Sequence, residues 1–212
     1  MLHVKCFVFS PIQENTYVLF NDSGEAMIID PGCYFPHEQK QLQDFLSDKK
    51  LTPIMLLNTH CHLDHVFGNK WVYDTYGLEL HIHPLEEKVL AFAPQSGQAW
   101  GMPFENYSGP LHFIREGEEL MLGGEKLDIL WAPGHSPGSI CFYHSQQKIL
   151  LGGDVLFRES IGRTDLPGGN HTTLLNSIRE QLFTLPDDVV VYSGHGIPTK
   201  IGYEKEHNPF LN

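Results

Sequence analysis

The sequence has little positive charge. Among its 212 residues only 14 are Lys or Arg, against 26 Asp or Glu, which gives a formal net charge of −12. Proteins that hold nucleic acid neutralise phosphates with clustered cations. The cations here are dispersed, so no nucleic-acid partner is expected. Cysteine is sparse too: Cys6, Cys33, Cys61 and Cys141 stand apart with no CxxC pair. That spacing predicts reduced thiols in a cytosolic chain rather than a disulfide framework. No apolar run approaches the ~20 residues of a membrane span. The opening MLHVKCFVFS lacks a basic leader, an apolar stretch and a small-residue cleavage site, so a cytoplasmic protein is expected, away from membranes. Low-complexity tracts and long linkers are missing. Hydrophobic content of 41% and charged content of 19% are ordinary for a globular chain. The length predicts one domain spanning residues 1–212, with a sizeable core.

What the chain does have is histidine, 13 in all. Three of them, with one aspartate, fall within six positions of NTHCHLDHVFGN: His60, His62, Asp64 and His65. With this composition an HxHxDH pattern arises by chance in about one sequence in four hundred. Cys61 lies inside the cluster, but in extended backbone it points opposite to residues 60 and 62. Three further candidates lie among glycines: His135 in APGHSPGS, Asp154 in LLGGDVLF and His195 in VVVYSGHGIP. Glycine permits the sharp turns that project such side chains into a shared cleft.

Hydrophobic periodicity gives strands near Val4–Phe9, Thr16–Phe20 and Ala26–Asp30, a helix over Glu38–Lys49 and a buried strand at Ile54–Asn58. A helix over Val66–Tyr76, a strand at Leu78–His83 and a helix over Pro84–Phe92 follow, then a loop from 94 to 110. Strands near Glu119–Leu122, Lys126–Trp131, Ser139–His144 and Lys148–Leu151 precede a helix over Thr172–Leu185, capped by the His171–Thr172 region, and a last strand at Val189–Ser193. Strands in both halves with interspersed helices predict a layered α/β sandwich. Every candidate ligand lies just past a strand end, on a loop, where a rigid sheet usually holds chemistry.

Five histidines and two aspartates form a nitrogen and oxygen donor set that needs no thiolate. One ion takes four to six ligands, so seven predict two divalent metal ions, with Zn, Fe and Mn all suited. Two ions about 3.5–4 Å apart share a hydroxide and polarise a carbonyl. The remaining histidines carry no such pattern. His81 and His83 read as surface or packing residues, and His171 follows LPGGN close to the expected cleft.

THCHLDH, PGHSPG, GGD and GHG, in that order and preceded by IIDPG, resemble the metallo-β-lactamase fold superfamily, and the likeness runs from QENTYVL to HNPFL. It implies a four-layer αββα sandwich with the site at one edge of two sheets. It also implies that His60, His62 and His135 hold one metal, that Asp64, His65 and His195 hold the other, and that Asp154 bridges them. Asp64 then stands at the catalytic centre, a metal-bridging hydroxide is the nucleophile, and Asp30 supports the metal-bearing loops. β-Lactamases of the family lack the bridging aspartate and redox di-iron members carry glutamate where this chain has His62, so both branches are disfavoured.

The stretch GGDVLFRESIGRTDLPGGNHTTL is similar to short glyoxalase II-like hydrolases. It implies hydrolysis of S-D-lactoylglutathione or a related glutathione thioester, a small-molecule substrate, with zinc as the metal that branch implies. Arg163 stands where the family has a basic residue facing the peptide carboxylate; pairing with Asp165 is its other reading. Two features depart from long glyoxalase II enzymes: no C-terminal helical substrate domain is expected, and Gly196-Ile197 replaces a Glu-Tyr pair. The rivals are a mononuclear-iron persulfide dioxygenase, which shares the fold and a GRTD stretch, and a hydrolase of another thioester or a lactone.

Overall fold

In the computed structural model, which describes residues 1–211, alternation along the strands builds three apolar layers. The first sheet holds β1 (Leu2–Phe9), β2 (Glu14–Asn21), β3 (Glu25–Ile29), β4 (Thr52–Leu57), β5 (Leu80–Ile82) and β6 (Leu111–Phe113), in that order. The second is ordered β14 (Thr199–Lys200), β13 (Val190–Ser193), β10 (Ile149–Gly153), β9 (Ile140–His144), β8 (Glu125–Trp131) and β7 (Glu119–Leu122). Successive side chains of a strand face opposite sides. Leu19, Met27, Ile29 and Leu57 therefore meet Leu127, Ile129, Phe142 and Leu151 in a core between the sheets. Their neighbours Val18, Ala26, Ile28 and Leu56 face outward beneath helices α1 (Pro36–Asp48), α3 (Asn69–Tyr76) and α4 (Glu87–Ala99). On the far side, Cys141, Tyr143, Leu150 and Val191 pack under α5 (His171–Ser177), its π-helical continuation Ile178–Leu182 and α6 (Ile201–His207). The result is the expected αββα layering.

β3 and β4 run parallel, as do β4 and β5, and β10 and β13. Parallel strands bring their C-terminal ends to the same edge, so the loops after them converge. A short helix α2 (Leu63–Val66) lies in the loop after β4, and a small hairpin, β11 (Leu156–Phe157) with β12 (Ser160–Ile161), follows Asp154. No helix among the described residues is long and apolar enough to cross a membrane.

Several local expectations are corrected. Val66–Tyr76 is not one helix. It breaks at Gly68, where an added Cβ would lie 2.4 Å from Cys33 Sγ and 2.7 Å from the Pro31 carbonyl. The 94–110 segment is not all loop, because α4 runs through Pro94 to Ala99. Proline cannot donate to the Leu90 carbonyl one turn back, and the Asn106 side-chain amide donates to that carbonyl instead, at 2.8 Å. α5 is capped by Asn170, whose side chain accepts from the Thr173 N–H at 2.9 Å, and not by His171–Thr172. β6, the β11–β12 hairpin, β14 and α6 were not expected.

Candidate active site

All seven candidate ligands come together where the two sheets' loops meet. Backbone and side-chain bonds close this junction. The Asn15 N–H donates to the Gly194 carbonyl at 2.7 Å, and the Asn15 amide donates to Ser193 and Gly196 carbonyls at 2.9 Å each. The Tyr17 hydroxyl adds a bond to the Ser193 carbonyl at 2.6 Å, and the Ile140 N–H donates to the Thr59 carbonyl at 2.9 Å. Glycine is required where side chains crowd most. A Cβ on Gly194 would sit 2.1 Å from Asp154 Oδ1, and one on Gly32 would sit 2.0 Å from Glu14 Oε2.

Two donor groups result. His60, His62 and His135 form one, and Asp64, His65 and His195 the other, with ligand atoms within 4.8 Å of one another in each. His135 Nε2 lies 2.8 Å from His62 Nδ1 and 3.1 Å from His60 Nε2. His195 Nε2 is 3.1 Å from Asp64 Oδ2. Asp154 lies between the groups, with Oδ2 3.5 Å from His135 Nε2 and 3.6 Å from His195 Nε2, and Oδ1 3.5 Å from His65 Nε2. Ligands ~2.0–2.1 Å from a tetrahedral ion stand about 3.3 Å apart, and these separations bracket that value.

Outer partners fix which ring nitrogen is free. His135 Nδ1 faces the Arg163 carbonyl at 2.7 Å and His195 Nδ1 the Gln13 carbonyl at 3.1 Å; a carbonyl only accepts, so Nδ1 carries a proton and Nε2 is the nitrogen left to face the donor cluster. Asp30 does the same for His65, with Oδ2 3.1 Å from Nδ1. Asp30 also accepts from the Thr59 N–H at 2.7 Å, the Thr59 hydroxyl at 2.6 Å and the Asn58 amide at 3.1 Å.

The electrostatics favour cations. Burial, then the neighbouring imidazoles, hold His60 well below the usual histidine range, and the same causes bring His62 down to about 3. Burial also lowers His135. These three present neutral lone pairs at pH 7. Burial pushes the Asp154 carboxyl up, but His65, His135 and His195 outweigh it and hold the group well below its ordinary value. Burial likewise opposes protonation of His65, and is outweighed by Asp154 and Asp64, which raise it well above the histidine range. His65 Nε2 and Asp154 Oδ1 are both buried without a hydrogen-bond partner. Orphaned polar atoms at this depth are costly, and two aimed into one donor cluster fit divalent metal ions.

Three supporting residues escaped sequence reading. Asn15 closes the sheet junction, and buried Glu14 accepts from Thr16 at 2.8 Å with His65 Nδ1 3.8 Å away. Glu86, just before α4, is fully buried and accepts from the Cys61 N–H at 2.8 Å, the Gly138 N–H at 2.7 Å and the Ser136 hydroxyl at 2.5 Å. It thereby ties the loop bearing His60 and His62 to the loop bearing His135. The only sequence signal for it is PLEEK, an ordinary helix start.

Other candidates have other roles. The Cys61 side chain packs into the outer core, and burial, then Glu86 and Asp30, raise its thiol well above the ordinary range. His81 stacks on His112, and His83 on Trp131. His171 is an exposed helix-start residue outside the cleft lining. Arg163 lines the cleft, but its guanidinium is bound in two places by Asp165, at 2.7 and 2.6 Å. His62, Asp64, His135, Asp154 and His195 form the floor of a cleft of about 800 Å³, walled by α4, the β11–β12 hairpin and Leu166–Gly168, with His60 and His65 buried beneath it.

The metallo-beta-lactamase superfamily model matches residues 10–195. The chain is 38% identical over 213 residues to the hydroxyacylglutathione hydrolase GloC of Haemophilus influenzae, covering all of this chain and 99% of that one. A crystal structure described as BLEG-1 B3 metallo-beta-lactamase superposes with a TM-score of 0.91 at 40% identity, covering 99% of this chain and 100% of the other. The di-iron-bound form of TTHA1623 superposes with a TM-score of 0.89 at 34% identity, covering 98% and 100%. With ligand loops, sheet order and full-length similarity in agreement, the chain belongs to the metallo-beta-lactamase superfamily and is a metal-dependent hydrolase of it.

Proposed function

We propose that the protein is a thioesterase that cleaves S-D-lactoylglutathione or a related glutathione thioester, with His60, His62 and His135 holding one zinc ion, Asp64, His65 and His195 the other, and Asp154 shared. The single observation that carries this reading is the pair of converging donor sets joined by Asp154 on the floor of an open cleft. Such a pair of ions, when bound, supplies a nucleophile at neutral pH and polarises the scissile carbonyl.

The chain's own groups do the rest. Neutral imidazoles at His60, His62 and His135 bind without first losing a proton at pH 7. Asp30 and the carbonyls of Arg163 and Gln13 hold three rings with Nε2 facing inward. The inert Cys61 thiol rules that residue out as a nucleophile. A thiolate leaving group, with a thiol pKa of ~8.5, departs without a dedicated acid. Similarity to GloC supports the glutathione thioester; the di-iron-bound relative makes iron the competing metal.

The test is free-thiol release from S-D-lactoylglutathione by metal-replete protein, with His60→Ala as control. A kcat/KM above ~10⁴ M⁻¹s⁻¹, typical of working enzymes, that disappears in the control supports the reading. A rate no higher than the control rejects the substrate. Parallel assays with a chromogenic β-lactam and of oxygen uptake with glutathione persulfide then show which neighbouring chemistry replaces it.

A further inference from the structure

The cleft above the metal-liking floor is not built for a highly charged ligand. Helix α4 presents Leu85 (just before its start), Val89, Phe92, Ser96 and Trp100 to it at successive turns, a row that spans about 16 Å from Val89 to Trp100 at the helical rise. Leu85, Phe92 and Trp100 are 49%, 46% and 56% exposed. The facing wall adds Phe157, Ile161 and Leu166. Two cations line the space, Lys88 and Arg163. The Arg163 guanidinium is already occupied by Asp165, whereas Lys88 has no ion-pair partner among the described residues. Glutathione carries two carboxylates and an ammonium group, and a single free cation matches only one of these three charges.

We infer that the preferred substrate is a thioester with an apolar acyl arm and a single carboxylate on the thiol side, the arm lying along α4 and the carboxylate pairing with Lys88. The inference rests on the thioesterase chemistry above, and it puts a singly charged thiol and a longer acyl group in place of lactoylglutathione as the preferred substrate. An apolar wall with one well-placed polar group is how ligand clefts of this size usually obtain both affinity and orientation. A lactoyl group, short and hydroxylated, leaves Phe92 and Trp100 in water. A medium-length alkyl acyl group covers them.

Three thioesters separate the parts: S-octanoyl-3-mercaptopropionate, S-lactoyl-3-mercaptopropionate and the uncharged S-octanoyl-N-acetylcysteamine. Metal-replete wild type should cleave the octanoyl mercaptopropionate at least about tenfold better in kcat/KM than its lactoyl counterpart. Phe92→Ser should lower the octanoyl rate about tenfold and leave the lactoyl rate unchanged. Lys88→Met should lower only the rates of the carboxylate-bearing pair. Octanoyl and lactoyl rates within a factor of two, or Phe92→Ser slowing both alike, would overturn the inference while leaving thioesterase activity intact.

If no thioester yields thiol, the thioesterase reading has failed instead, and binding still tests the cleft. The thioether S-octyl-3-mercaptopropionate should quench Trp100 fluorescence saturably in wild type, the signal vanishing in Trp100→Phe and weakening in Lys88→Met. A thioether that leaves Trp100 fluorescence unchanged overturns the apolar-arm assignment.

Discussion

Removing the Glu86 carboxylate should loosen the three-histidine group without touching a ligand. Its two oxygens satisfy the Cys61 and Gly138 N–H groups and the Ser136 hydroxyl, at 2.8, 2.7 and 2.5 Å. Burial raises the Glu86 carboxyl and these three donors pull it back, so part of the interaction offsets desolvation. Glu86→Ala strands two buried N–H groups, each costing ~1–3 kcal/mol. Less the desolvation relieved, we expect a net loss of about 3 kcal/mol. Glu86→Gln keeps the shape. Its oxygen can serve Ser136 and Gly138, but its NH₂ then meets the Cys61 N–H, so the loss should be about 1–2 kcal/mol. For a chain of this length ~1 kcal/mol moves Tm by about 2–4 °C, so the alanine variant should melt about 6–12 °C lower. Differential scanning fluorimetry of the metal-free proteins measures this. Chelator competition measures the second consequence, loss of one equivalent of metal before the other. A Glu86→Ala protein melting within 2 °C of wild type, with both equivalents equally retained, would refute the coupling of the two loops.

Asp30→Asn isolates a charge. Asp30 has φ of 49°, a region asparagine tolerates as well, so the backbone should hold while the partner of His65 Nδ1–H weakens; metal affinity by competition titration should fall about 10–100-fold, and an unchanged affinity would sink the role assigned to it. Gly194→Ala puts a methyl 2.1 Å from Asp154 Oδ1; elemental analysis should show less than half the wild-type metal, with far-UV circular dichroism unaltered. His62 supplies a pH dependence. Its folded value of about 3 lies below the unfolded ~6.5, so the unfolded chain binds its proton first and stability is lost as pH falls from about 6.5 towards about 3. In metal-free protein the wild type should therefore lose ground to His62→Ala across that window in urea titrations, and a constant difference would contradict the assignment.

The convergence of the seven candidates was legible because metal-binding side chains are chemically explicit. His60, His62, Asp64 and His65 are crowded in sequence, and His135, Asp154 and His195 announce themselves through flanking glycines and preceding strands. The αββα layering followed from period-2 strands alternating with helices. Glu86 and Asn15 stayed hidden for the opposite reason. Each acts through backbone groups far away in sequence, and backbone leaves no residue-type signature. The end of α4 was misjudged because Pro94 breaks a helix by local rules, and the repair comes from Asn106, twelve positions later. The same local rule conceals the apolar wall, since it places Ser96 and Trp100 in a loop.

The candidate ligands fall in chain order at 60, 62, 64, 65, 135, 154 and 195, the first four from loops of one sheet and the last three from the other. Neither three-residue group is complete within one half. During synthesis a growing chain therefore offers no finished cradle until residues 135 and 195 have emerged and the second sheet has docked. Ions held by both groups would be a rivet between two separately threaded sheets. Binding only the assembled form, they would stabilise it increasingly as free metal rises above its dissociation constant. Withdrawing metal from the cell should then lower the abundance of the protein as well as its turnover.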